Sequence, residues 1–145
     1  MNNNQNILFQ ELIQNQRKNI LIDKKLNLSD LKRISTYLIK SIFSNDCSIW
    51  TGYITQFKNE SYYINFYFNG KKVALHRLLY NNFLGDLDDS EYLKYNCENK
   101  GKCCNLNHFK RVLPENSIQE KNINLNEEII DISSNKLKKK ITVKF

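Results

Sequence analysis

The chain has 145 residues, 22 Lys and Arg against 15 Asp and Glu, and a formal net charge of +7 with a pI near 9.2. This length suits one domain able to bury a core, and the positive balance favours a polyanionic partner over an acidic or small-molecule substrate. No run of 18 apolar residues predicts a membrane span, and Met1-Asn2-Asn3-Asn4-Gln5 lacks the basic and apolar regions of a secretory signal, so an intracellular, reducing setting is expected in which four cysteines point to metal more than to disulfides.

Residues 1–26 form an Asn- and Gln-rich segment with a short apolar pattern at Ile7, Leu8, Leu12 and Ile13 that is compatible with a helix. From Leu28 to Phe43 the pattern is stronger. Ser29 can cap, Asp30 suits the positive helix end, and Leu31, Ile34, Leu38 and Ile42 make an apolar stripe. From Ser61 to Phe68 the period changes to two: Tyr62, Ile64, Phe66 and Phe68 fall on one face, with Tyr63, Asn65 and Tyr67 on the other. Asn69-Gly70 is a strong hairpin turn, with Lys71 to Leu75 returning. His76 to Phe83 reads as a helix closed by Gly85, Asp86 to Ser90 as an acidic loop, and Tyr92 to Tyr95 as a short strand. Residues 118–145 are a polar, basic tail, either two short strands turning at Ser133-Ser134-Asn135 or a disordered or partner-bound arm.

Cys97-x5-Cys103-x4-His108, with Cys47 upstream, supplies three thiols and an imidazole, the donors of a closed tetrahedral zinc site. Cys97 and Cys103 lie on a loop containing Asn99, Lys100 and Gly101 that can curl around one ion. Cys104 adjoins Cys103, and neighbours rarely both ligate one ion, so Cys103 is taken as the ligand and Cys104 is kept as the alternative. Such a site contributes on the order of 10 kcal/mol to folding. It would tie residue 47 to residues 97–108, and the bland alternative is a set of buried thiols with a surface histidine.

Cys47-Ser48-Ile49-Trp50-Thr51-Gly52, Leu75-His76-Arg77-Leu78-Leu79-Tyr80 with Phe83-Leu84-Gly85, Cys97-Glu98-Asn99, Cys103-Cys104-Asn105-Leu106-Asn107-His108 and Glu115-Asn116 together resemble the HNH (ββα-metal, His-Me finger) homing endonucleases of the His-Cys box type. The resemblance covers residues 47–117. It departs from the family by one extra residue between Cys97 and Cys103, by Leu106 where the family has Pro, and by one residue fewer between His108 and Asn116. It implies a compact zinc-stapled ββα-metal-like fold with an antiparallel hairpin sheet lying on duplex DNA; with the N-terminal helix and C-terminal tail read above, the expectation is an α+β chain whose zinc-binding domain spans 27–117. It also implies Cys47, Cys97, Cys103 and His108 as zinc ligands, Asn116 as the ligand of a catalytic Mg²⁺, and a homodimer. The family's general base, a histidine, is replaced by Tyr95, preceded by Lys94.

A phenol stays protonated at neutral pH and cannot activate water as an imidazole does, and losing a general base costs roughly 10²- to 10⁴-fold. His76, the only other histidine, falls on the helix. The expectation is a sequence-preferring DNA-binding protein, such as a nuclear transcriptional regulator, on a nuclease scaffold that has lost cleavage. Tyr63, Asn65 and Tyr67 with Lys58, Lys71 and Lys72 would form a ribbon in the major groove, and Lys100, Lys102, Lys110 and Arg111 would add phosphate contacts. Two other readings stand beside it: an active Mg²⁺-dependent endonuclease with a rearranged base, and a zinc-stabilised protein- or RNA-interaction module.

Overall fold

In the computed structural model, which describes residues 2–113, the first helix starts at a reciprocal cap. The Asn2 side chain accepts from the Gln5 amide at 2.8 Å, and the Gln5 side chain accepts from the Asn2 amide. This helix, α1 (Asn3–Asn15), buries Leu8 and Leu12, whereas Ile7 of the expected stripe is 67% exposed. A second helix, α2 (Leu28–Thr36), is capped by Asn27 and Asp30 through the same reciprocal pair of bonds, not by Ser29 as the sequence suggests.

The helix expected to reach Phe43 ends at Thr36. The Ser35 and Thr36 hydroxyls both bond the Lys32 carbonyl, which competes with the helical ladder. The Tyr37 carbonyl instead accepts from the Thr51 amide and hydroxyl, both at 2.9 Å. Two side chains of α1 serve this end: Gln5 donates to the Thr36 carbonyl and Asn4 to that of Ile39. Leu38 and Ile42 are still buried, carried inward by irregular backbone and not by a helical stripe.

The alternating run at 61–68 is two strands. The first strand, β1 (Thr55–Gln56), pairs antiparallel with β2 (Tyr62–Tyr63), and β3 (Asn65–Phe68) pairs antiparallel with β4 (Lys71–Ala74). The break falls at Ile64, whose side chain is buried and whose carbonyl accepts from the Leu75 amide at 3.0 Å. Tyr62, which the alternation groups with the buried Ile64, Phe66 and Phe68, is only half-buried, and its ring lies under the Lys102 ammonium at 3.9 Å. The β3–β4 turn is the Asn69-Gly70 turn of the sequence, with φ of 52° and 79°, the left-handed geometry that suits a two-residue hairpin.

The third helix, α3 (Leu75–Phe83), follows β4 directly. It ends with the Leu84 and Gly85 amides both on the Tyr80 carbonyl and without a left-handed glycine, so Gly85 is not the cap expected of it. The last pair is β5 (Tyr92–Tyr95) with β6 (Phe109–Val112), joined through the cysteine loop and a single 3-10 turn (Leu106–His108). The compact unit runs to Arg111.

The architecture is mixed α+β, and one core joins α1, α2, α3 and the inner faces of the short strands. The N-terminal 1–26 segment is part of that core: Leu8, Leu12 and Leu26 are each at most 5% exposed. Asn82 fastens it. Its fully buried amide donates to the carbonyls of Lys24 and Leu78 and accepts from the Leu26 amide and the Gln16 side chain, so all four of its hydrogen-bonding positions are filled. Among the described residues no helix is long and apolar enough to cross a membrane. The Glu115-Asn116 pair and the 118–145 tail with its two expected strands lie outside the described residues.

Candidate metal centre

Three stretches of backbone bring the soft donors together. Ile49 and Cys103 form an antiparallel bridge, flanked by bonds from the Trp50 amide to the Lys102 carbonyl and from the Cys104 amide to the Ser48 carbonyl. This places Cys47, two residues before the bridge, beside Cys103. The Asn96 amide donates to the His108 carbonyl at 3.0 Å, which sets Cys97 and His108 side by side at the ends of β5 and β6. As a result Cys47, Cys97, Cys103 and His108 have their Sγ and ring-nitrogen atoms within 4.8 Å of one another. These residues, drawn from positions sixty apart, are the four that the sequence singled out.

The histidine is oriented for ligation. Its Nε2 lies 3.0 Å from the Asn45 carbonyl, while Nδ1 lies 3.5 Å from the Cys47 sulfur and 3.4 Å from the Cys103 sulfur. A carbonyl oxygen only accepts, so the contact puts the proton on Nε2 and leaves the Nδ1 lone pair facing the sulfurs. An outer bond that fixes the tautomer in this way is the usual support of a metal-bound imidazole.

The thiols are electrostatically unequal. A hydrogen bond with the Asn99 side chain, opposed by burial, holds Cys47 below its ordinary value. Burial raises Cys97 and pushes Cys103 up to about 12. A divalent cation bound among such thiols would deprotonate them and supply the positive charge that burial otherwise denies a thiolate. The donor set and the geometry fit a metal ion, and a four-ligand S₃N set leaves no open position for substrate.

A shell of amides and glycine shapes this cluster. Asn105 is fully buried. Its amide donates to the carbonyls of Ser44 (2.7 Å) and Asp46 (2.6 Å), its oxygen accepts from the Asn107 amide, and its backbone N–H donates to the Cys103 sulfur at 3.3 Å. It clamps the segment that carries Cys47 onto the turn that carries His108. Gly101, at φ 80°, lies against the Tyr62 backbone, where a Cβ would collide with the Tyr62 carbonyl. Only glycine lets the Cys97–Cys103 loop pass there. Asn105 and Asn45 stand out little in so asparagine-rich a sequence; the Asn-x-Asn-His spacing just past Cys103 is a local signal for Asn105, and none marks Asn45. Cys104 points away into the hydrophobic core, where burial raises its thiol, so it does not replace Cys103.

Tyr95 and His76 stack on each other nearly parallel, 5.5 Å between centroids at 12°, and Phe109 meets both edge-on. Burial raises the Tyr95 phenol well above its ordinary value. Burial, with Arg77 adding to it, lowers His76 to about 4. The two rings pack as part of the domain interior, and neither has the near-neutral basicity that suits proton abstraction from water. Asn116 lies outside the described residues.

The residues expected on DNA are dispersed. Tyr67 is 59% exposed, whereas Tyr63 and Asn65 are half-buried, and Tyr63 packs on Phe57. The register sets Lys72 opposite Tyr67 but Lys71 opposite Phe68, so the two lysines leave opposite faces of the hairpin and do not share a surface. Lys58 is exposed in the β1–β2 turn, and Lys100 and Lys110 are exposed near the cysteine loop and on β6. Arg111 is engaged, its Nε 3.1 Å from a Glu91 carboxylate oxygen.

Among curated proteins, the chain is 54% identical over 111 residues to uncharacterized protein R328 of Acanthamoeba polyphaga mimivirus. The match takes in 74% of this chain and 32% of the relative, so the chain spans about a third of the length of the curated relative it matches. No protein-family model and no solved structure matches the chain.

Proposed function

We propose that this chain is a zinc-stapled ββα-metal-type domain of the His-Cys box kind that binds duplex DNA with sequence preference and does not cut it. The observation that carries the reading is the convergence of Cys47, Cys97, Cys103 and His108, with His108 held in the metal-ready tautomer by Asn45. Zinc is the ion these donors suit, and with four protein ligands its role is structural. The net charge of +7 supports a polyanionic partner. Among the described residues Lys58, Lys72 and Lys110 are exposed and enter no ion pair, which leaves them able to meet phosphates. Loss of cleavage is supported by the packing of Tyr95 against His76, which leaves the expected base position with a half-buried phenol raised well above its ordinary value.

The test mixes metal-assayed protein with a random-duplex library in Mg²⁺ and scores one sample for retained sequences and for cut ends. Enriched, uncut duplex is the expected result. Cut ends would replace the reading with an active endonuclease. Failure to retain any duplex would replace it with a protein- or RNA-interaction module.

A further inference from the structure

We propose that the recess between α2, residues 50–53 and β3 receives an unpaired nucleobase from a single DNA strand. The recess measures about 300 Å³ and is walled by Arg33, Tyr37, Trp50, Tyr53, Asn65 and Tyr67. Its aromatic content is not explained by the core. Tyr37, Tyr53 and Tyr67 are 42%, 82% and 59% exposed, so they hold large planar faces toward solvent around one opening. Tyr37 and Trp50 form its inner wall, with centroids 5.2 Å apart. Gly52 keeps that wall open, because a Cβ there would press on the Trp50 indole nitrogen at 2.7 Å and on the Tyr37 ring at 3.2 Å.

Polar groups converge on the same space. Trp50 is only 6% exposed, yet its indole N–H has no acceptor among the described residues. The half-buried Asn65 amide, one donor and one acceptor side by side, also has no side-chain partner among them. Arg33 directs Nη2 to Asp30 and to the Tyr67 carbonyl, both at 2.8 Å, which fixes its guanidinium over the Phe66 ring while Nε and Nη1 keep their donors. Lys72 stands beside Tyr67 on the outer face of the hairpin.

Flat aromatic faces, an amide that can read a base edge and fixed cationic donors are the parts from which single-strand sites are built. A base inside a duplex has both faces stacked and its edge paired, so only an unpaired base can use all three at once. The proposal rests on the nucleic-acid reading above for the class of partner, but the site differs from a groove-reading ribbon and takes a different form of DNA.

Trp50 is the single tryptophan of the chain, so its fluorescence reports directly on the recess. The experiment titrates the full chain with a mixed-sequence deoxy 12-mer, with an abasic strand carrying the same phosphates, with the matched duplex and with the ribo-oligomer. The single strand is expected to change the Trp50 emission and to outbind the abasic strand. Tyr53→Ser and Tyr67→Ser should each weaken strand binding roughly tenfold or more without changing its salt dependence, since stacking carries no charge. Substituted proteins that bind the strand as wild type does, an abasic strand that competes equally, or a ribo-oligomer preferred tenfold would overturn the proposal. The duplex arm keeps the two readings apart. Duplex binding with no tyrosine-dependent strand binding overturns the recess alone. Tyrosine-dependent strand binding without duplex binding supports the recess and overturns the duplex reading.

Discussion

His76→Phe is expected to make the protein less sensitive to acid. His76 is stacked on Tyr95, touches Phe109 edge-on, and is held at about 4 by burial, with Arg77 as the second cause. In the unfolded chain it titrates near its ordinary 6.5. Between those values the unfolded state binds the proton and the folded state does not, so stability rises with pH across the window. The contribution is intact above 6.5 and is lost progressively as the pH falls toward 4. The full difference is worth about 3 kcal/mol, and at pH 5 about 2 kcal/mol has already gone. Phenylalanine fills the same slot between Tyr95 and Phe109 and cannot charge. Denaturant unfolding at pH 7.5 and pH 5.0 measures the effect: wild type should lose about 2 kcal/mol more than the variant over this interval. Any acid sensitivity of the cysteine–histidine cluster is common to both proteins and cancels in the comparison. Parallel pH profiles for the two proteins would refute the reasoning and mean that His76 is charged, or solvated, in the folded state.

Gly101→Ala and Gly70→Ala form a matched pair. Both glycines have φ near 80°, but a Cβ at Gly70 meets nothing within 4 Å, while at Gly101 it strikes the Tyr62 carbonyl. Gly70→Ala should cost about 1 kcal/mol for its backbone angle alone, and Gly101→Ala should cost clearly more and loosen metal binding; equal losses would contradict the crowding. Asn105→Ala removes the two donors that hold the Ser44 and Asp46 carbonyls, so metal affinity should fall roughly 10- to 100-fold, as for other outer-layer partners. Competition against a chromogenic chelator reads this directly, and unchanged affinity would show that the Cys47 segment holds its place without the clamp.

The parts of the molecule legible in its sequence are those in which residue type alone restricts the chemistry. Four cysteines and two histidines are few enough that Cys47, Cys97, Cys103 and His108 stood out, and the fold brings those four together. Asn69-Gly70 announced its turn because few residue pairs accept two left-handed angles. The rest depends on partners distant in the chain. The end of α2 at Thr36 is set by Thr51 taking the Tyr37 carbonyl, and the break at Ile64 by the Leu75 amide. Asn82 and Asn105 are anchors only because backbone groups from residues 24–26 and 44–46 arrive beside them; nothing in an asparagine-rich chain marks Asn82 beforehand, and only the Asn-x-Asn-His spacing past Cys103 marks Asn105. The divergence of Lys71 and Lys72 follows from register, which is fixed once the turn residues are placed but is hidden by grouping neighbouring lysines as one patch.

X-ray absorption at the zinc edge of the purified chain tests the metal centre most directly. A single ion held by Cys47, Cys97, Cys103 and His108 predicts one equivalent of zinc, with three sulfurs at about 2.3 Å and one nitrogen at about 2.0–2.1 Å, and no coordinated water. A folded protein without bound metal, or a first shell of oxygen and nitrogen with fewer than three sulfurs, would contradict it.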